Sequence, residues 1–445
     1  MYPTAPAGLI FTGDSENHYG KALTAAHWAT FSPRLGIVWD PNGDGKQTIR
    51  ASFGLMHDTT ELFYPERWTT NAPYVSSLTL TSGQFSNPFA SYVSPTGKPG
   101  DPFPGAAVFP AGGAYISVPG NLKVTYMMQW NVSYQRQLAK DWMVTANYLG
   151  NASRHIWGST DINYSIPTAG ASTSNTNARR LTSLLNPTTG QYYGNIQQSD
   201  DGANAEYHGL LMKAEKRMGH HFALHTTYAY SHCVSSWDFA GELAGTIYQN
   251  PLNRATGERG NCGYDHRHSF TTSLVALSPG FGGGPARFIT RDWQVSPIIS
   301  MFTGNPIQIT DGKDISLSGQ NLDRPNVILP DQVYGAPKTV LQYLNPAAFQ
   351  CAGSNSACTV FSGQFGNLGR NSLYGPGQRN FDIAVSRQFQ MRERFKMEFR
   401  SDFFNILNHA NWNNPVSSLS SAATFGQITT FGSPRLIQMA MKFYF

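Results

Sequence analysis

From Leu436 to Phe445 apolar side chains fall on every second position. Ile437, Met439, Met441, Phe443 and Phe445 share one side, and Leu436, Gln438, Ala440, Lys442 and Tyr444 share the other. Successive side chains of a β-strand point to opposite faces, so this alternation predicts a strand with one apolar face. Residues 380–389 repeat it, with Phe381, Ile383, Val385 and Phe389 against Asp382, Ala384, Ser386 and Gln388. Residues 395–403 set Phe395, Met397, Phe399 and Phe403 against Lys396, Glu398, Arg400 and Asp402. Residues 391–394 are all that separates these two strands beyond a neighbour or so, which predicts a hairpin. The charged face of the second strand would lie in water in a soluble sandwich, and would line the lumen in a membrane barrel.

The same period predicts strands at 31–39, 47–58, 124–138, 141–151, 207–217, 221–235, 267–278 and 291–308. With the three C-terminal ones this makes eleven. Short turns are expected at about 40–46, 139–140, 218–220, 279–290 and 390–394. Between them fall long segments at 59–123, 152–206, 236–266, 309–379 and 405–434. Long loops without structure of their own count against a compact soluble domain. Strict alternation of short turns with long loops is the habit of outer-membrane barrels, whose turns are periplasmic and whose loops are extracellular. The fold expected is therefore all-β: an antiparallel up-and-down transmembrane β-barrel. The last strand then runs inward, leaving Phe445 at the periplasmic rim.

Composition agrees. Aromatic residues make up 13% and charged residues only 13%, with 43 Gly and 27 Pro in 445 residues. That is too aromatic for a disordered chain and too rich in Gly for a helical one. Half of each strand facing lipid would account for the missing charge. Mean hydropathy is −0.33 and no long apolar run occurs, which excludes a transmembrane helix but not a barrel. The net charge of +5 is spread along the chain, so no nucleic-acid partner is expected. The first residues show no secretory signal, which predicts either a cytosolic protein or a fragment of a longer one.

Several segments resemble the Oar-like family of TonB-dependent transporters of acidobacterial type. They are Ser32–Asp40 with Asp44-Gly45-Lys46 and Arg50–Gly54; Tyr207–Leu210 with Lys216-Arg217 and Tyr228–Ser231; Asp265–His268; Gly304-Asn305-Pro306; Gly366-Asn367, Gly375-Pro376-Gly377 and Asp382; and Arg400–His409. The resemblance covers the chain from about residue 8 to its end, and only the C-terminal part of the family's proteins. It implies a full-length protein with a signal, a small β domain, a plug and about 22 strands. Residues 1–30 would then be an extracellular loop leading into the barrel, and 31–445 the C-terminal barrel portion. The partners implied are outer-membrane lipid, the plug and barrel half missing from this chain, the TonB energy-transducing system, the barrel assembly machinery and an unidentified extracellular ligand.

Little catalytic chemistry is legible, and no enzyme activity or cofactor is expected. Asp40–Gly45 imitates the start of an EF-hand loop, but the twelfth position, where a bidentate Glu is needed, is Ala51; a Gly-rich turn is expected instead. His220, His221, His225, His232, His266 and His268 cluster in sequence and are expected at the rim and in the lumen rather than on a metal. Cys351 and Cys358 flank a Gly/Asn/Ser/Ala stretch, and Cys233 and Cys262 flank the 236–266 loop. Outside the cytosol such pairs oxidise, which predicts disulfides Cys351–Cys358 and Cys233–Cys262; the alternative is four free thiols. Trp130, Trp142, Tyr148, Tyr228, Phe403, Phe443 and Phe445 are expected in interfacial girdles. Lys396, Glu398, Arg400 and Asp402 are expected in the lumen. Ile437, Met439, Met441, Phe443 and Phe445 form a C-terminal outer-membrane signature. The function expected is the barrel portion of a ligand-uptake receptor. The alternatives are a structural or adhesive outer-membrane protein, or a secreted soluble β protein.

Overall fold

Eleven strands hydrogen-bond in chain order into one antiparallel sheet. They are β1 (Arg34–Trp39), β2 (Gln47–His57), β3 (Tyr126–Ala139), β4 (Trp142–Asp161), β5 (Tyr193–Gly219), β6 (Phe222–Ser235), β7 (His268–Pro279), β8 (Arg291–Phe302), β9 (Gln378–Arg392), β10 (Phe395–Phe404) and β11 (Leu436–Tyr444). The computed structural model describes residues 2, 5–11, 13–20, 22, 24–59, 70–74, 84–90, 109–219, 221–236, 248–253, 258–321, 323–353, 355, 358–392 and 394–445. His220 and most of the 59–123 segment lie outside them. The sheet is not closed: among the described residues β1 pairs only with β2, and β11 only with β10. No described helix is long and apolar enough to cross a membrane.

The register carries the alternation across the whole sheet. Ile37, Ala51, Val132, Tyr148, Leu210 and Tyr230 lie side by side from β1 to β6. Val295, Val385, Ser401 and Met439 continue that face from β8 to β11. Opposite them run Arg50, Ser133 and Asn147, then Gln294, Ser386 and Arg400. The apolar face is bare: Met439 is 68% exposed and Ile37 60%. In water each such side chain would forgo about 1.5–3 kcal/mol of burial; against hydrocarbon it forgoes none.

The strands at the long-loop end outrun the expected boundaries. β5 has 27 residues and β4 has 20, whereas about 9–11 cross a bilayer. Their pairing persists to Asp161 opposite Gln197, through a bulge at His155, which sits at φ 55°. β8 stops at Phe302 rather than at residue 308. The connection between β7 and β8, expected as a plain turn, contains a helix, Pro285–Thr290. Pro285 at its first position follows three glycines, a usual way to start a helix.

The long connections are not structureless. Gly113–Ser117 adds to β5 in parallel, and two small ladders join Pro306–Ile307 to Leu373–Tyr374 and Asn326–Val327 to Phe349–Gln350. Above the sheet, Ile307, Ile309, Ile315, Leu344, Phe349, Phe425 and Ile428 form the main buried cluster. The apolar core thus sits in a folded head built from loops, while the sheet keeps its apolar side outward.

Candidate functional site

The polar face of the sheet is a hydrogen-bonded wall. Arg400 grips Asp402 with Nε at 2.9 and 3.0 Å from the two carboxylate oxygens and Nη2 at 2.9 Å. The Tyr444 hydroxyl donates to Glu398 at 2.7 Å, with Lys442 as the cross-strand neighbour of Glu398. Lys396 stands opposite Tyr444. At the other side of the sheet Arg50 donates to Gln135 (2.9 Å), Ser52 to Asn131 (2.6 Å), and His225 meets Glu215 at 3.3 Å. A crevice of about 320 Å³ runs along that wall, lined by Arg50, Asn131, Asn147, Lys213 and Glu215. Lys396, Glu398, Arg400 and Asp402 therefore share one face with these groups, away from Ile437, Met439, Met441 and Phe443.

The head is tied together by buried ions from separate loops. Arg180 reaches Asp161 at 3.1 Å, and the same carboxylate accepts from Asn195 and Gln320. Arg324 pairs with Glu258 at 3.1 Å. Arg370 donates to the Glu258 carbonyl and to Ser235. Connections 152–206, 236–266 and 309–379 are thus clamped to each other. Both cysteine pairs sit in this head, Cys233 with Cys262 (Cα atoms 5.4 Å apart) and Cys351 with Cys358 (5.5 Å). Three aspartates of the 309–379 connection are buried in it. Burial pushes Asp311 up to about 7, partly offset by the Ala352 backbone. Burial likewise pushes Asp323 up to about 7 against hydrogen bonds from Ser316. Asp314 is raised by burial, opposed by the backbone N–H groups of Gly319 and Ser318.

The remaining candidates disperse. A carboxylate oxygen of Asp311 and the sulfurs of Cys351 and Cys358 lie within 4.8 Å of one another, but the sulfurs are bonded to each other and offer no thiolate. The histidines go to separate places: His225 to Glu215, His232 to Asn261, His266 to the Thr303 carbonyl and His268 to the Tyr228 hydroxyl. Asp40 accepts from its own turn at Asn42 and Gly45. Trp142 and Phe443 stand at the short-turn end, where Phe445 meets Phe395 edge-on at 4.9 Å. Trp130, Tyr148, Tyr228 and Phe403 stand farther toward the head.

Two buried cations on the apolar face were not anticipated. Lys216 pairs with Asp141 at 2.8 Å and donates to the Gly219 and Phe222 carbonyls. Arg387 donates to the Phe288 and Ile289 carbonyls and lies over the Phe389 ring at 4.6 Å. The signal was present as a break in the alternation between Val385 and Phe389.

The profile of the outer membrane β-barrel domain matches residues 1–438. The chain belongs to this family. It is accordingly an outer-membrane barrel domain, which removes the reading of a secreted soluble protein. The fold is similar to that of the outer membrane transporter YddB from Escherichia coli, at 10% identity and a TM-score of 0.53, covering 92% of this chain and 40% of that one. A ferric enterobactin receptor mutant from Pseudomonas aeruginosa aligns at 9% identity and a TM-score of 0.45, covering 93% and 40%. At these identities only the fold of the first is shared with any force. The chain spans about two fifths of those structures. No curated protein matches it significantly.

Proposed function

We propose that the chain is the C-terminal barrel portion of a TonB-dependent outer-membrane receptor of the Oar-like type, serving uptake of an extracellular ligand. The observation that carries this reading is the two-sided sheet: one face apolar from β1 to β11, the other a polar wall, with both edges unpaired among the described residues. An open edge in hydrocarbon leaves backbone groups unsatisfied, so β1 and β11 call for further strands, and a barrel of about 22 strands would supply them and house a plug. Residues 31–445 would be the wall. Lys396, Glu398, Arg400 and Asp402 would face the plug and the passing ligand, and the ladder from Ile437 to Phe445 would be read by the barrel assembly machinery. Long loops face outward in such barrels, so residues 1–30 and the head would be extracellular, with both disulfides holding the ligand-facing surface.

A second reading is an adhesive outer-membrane protein, favoured by the size of the folded head. The coding sequence upstream of Met1 discriminates the two. An in-frame plug and TonB box support the transporter; their absence leaves the adhesin. In either case the protein should need detergent for extraction and migrate differently before and after boiling, as β-barrels do.

A further inference from the structure

The apolar face does not end in apolar residues at its outer edge. Tyr228, Phe270, Met301 and Arg379 form one cross-strand row from β6 to β9, and His268 follows beside Tyr230. Here the sheet meets the head in a crevice of about 520 Å³, lined by Arg267, His268, Tyr374 and Arg379 over a floor of Gly304 and Gly375. The floor is glycine because the backbones touch: a side chain on Gly304 would run into the Gly375 carbonyl. Arg267 is positioned by the Tyr374 hydroxyl at 2.8 Å and half neutralised by Asp265 at 3.6 Å. His268 engages Tyr228 through Nδ1, leaving Nε2 for another group. Arg379 is exposed and held through its backbone N–H by Asn411.

We propose that this crevice binds the phosphate of a lipid headgroup in the outer leaflet. Of its lining, His268 and Arg379 lie on the apolar face of the sheet, where Phe270 and Met301 adjoin them, so an anion held by these two side chains would carry its acyl chains down an apolar column. A guanidinium gives phosphate paired, charge-assisted donors, and basic recesses at this depth suit lipid headgroups. The flanking Tyr228 and Tyr230 have the amphipathic character that places aromatic rings at headgroup level. The site is independent of the ligand path through the lumen and stands or falls apart from the transport reading.

The test uses the full-length protein, with this chain in the closed barrel it forms part of, reconstituted into nanodiscs of neutral lipid doped with diphosphorylated lipid A or with its dephosphorylated form. Native mass spectrometry reads the retained lipid. The phosphorylated form should be retained preferentially, and Arg379→Gln with His268→Gln should lower retention by about tenfold or more, given the loss of charge-assisted contacts. Lys140→Gln, at the opposite end of the strands, should leave it unchanged. Arg379→Gln alone, at an exposed position, should show a reduction even where His268→Gln disturbs Tyr228. Equal retention of the two lipids, or unchanged retention in both variants, overturns the proposal. So does binding of inorganic phosphate as tight as that of the phosphorylated lipid, which would make this a small-anion site.

Discussion

Arg387 shows how a cation is kept on a face that otherwise meets lipid. Its neighbours in the row are Trp293 and Phe399, and an unpaired charge there would be expensive. The helix Pro285–Thr290 folds over it, and its guanidinium meets the Phe288 and Ile289 carbonyls at the helix end, where backbone acceptors lack partners. Phe288, Trp293 and Phe389 close around it with centroids 4.6–5.7 Å away. Lys216 repeats the device at the β5–β6 turn, with the Phe222 ring at 4.2 Å. Arg387→Ala should therefore destabilise the barrel by about 2–4 kcal/mol, from two charge-assisted hydrogen bonds and the ring contacts. Urea unfolding in detergent micelles reads this, and a loss under about 0.5 kcal/mol, the level of an ordinary surface change, would show the helix to be decoration. In the sequence Arg387 is visible only as a break in the alternation. The alternation could not say that a helix ninety-odd residues earlier covers the break.

At the scale of elements, the eleven strands were legible because period two is a local property and each strand carries it. Their outer extensions were not, since β5 runs from Tyr193 through Gly194, Gly202 and Asp200-Asp201, where lipid no longer dictates which side is apolar. Facing pairs give a direct test. Val385 lies on the apolar face, which the proposed barrel turns to lipid, and Ser386 on the polar wall. Val385→Lys should cost about 2–4 kcal/mol near the bilayer middle, while Ser386→Lys should cost under about 1 kcal/mol. Equal costs by equilibrium unfolding in lipid vesicles would mean that the assignment of faces is wrong. The disulfides offer another. Non-reducing digests should yield Cys233 linked to Cys262 and Cys351 linked to Cys358, each link disappearing with reductant. Identical peptide maps in both conditions would mean four free thiols. Sequence spacing suggested these pairs; what it could not convey is that the Cys233 N–H also donates to Asp265 and that Cys351 and Cys358 are fully buried in the head's core.

The whole molecule has two parts with opposite physics, a sheet that turns its apolar groups outward and a head that turns them in. The head escaped sequence reading because its cement is polar and long-range: Gln320 reaches Asp161 across 159 residues, and Arg370 reaches Ser235 across 135. No window of sequence contains such pairs. Three buried aspartates make the head respond to pH. Asp311 and Asp323 are pushed to about 7 from 3.8 by burial, and Asp314 moves the same way against the opposing charge of Arg179. A carboxyl raised in the folded state favours folding in its protonated form. Its contribution is complete below about 3.8 and is lost as pH rises through about 7. Across that window each group weakens the head by on the order of tenfold in its folding equilibrium per pH unit. Hydrogen exchange, corrected for its intrinsic pH dependence, should then show residues 309–379 better protected at acid than at alkaline pH, with the sheet amides of β9–β11 little changed. Asp311→Asn carries no charge to lose and should shrink the difference. Protection that rises with pH, or a variant with an undiminished response, would place the pH sensitivity elsewhere than in these carboxyls.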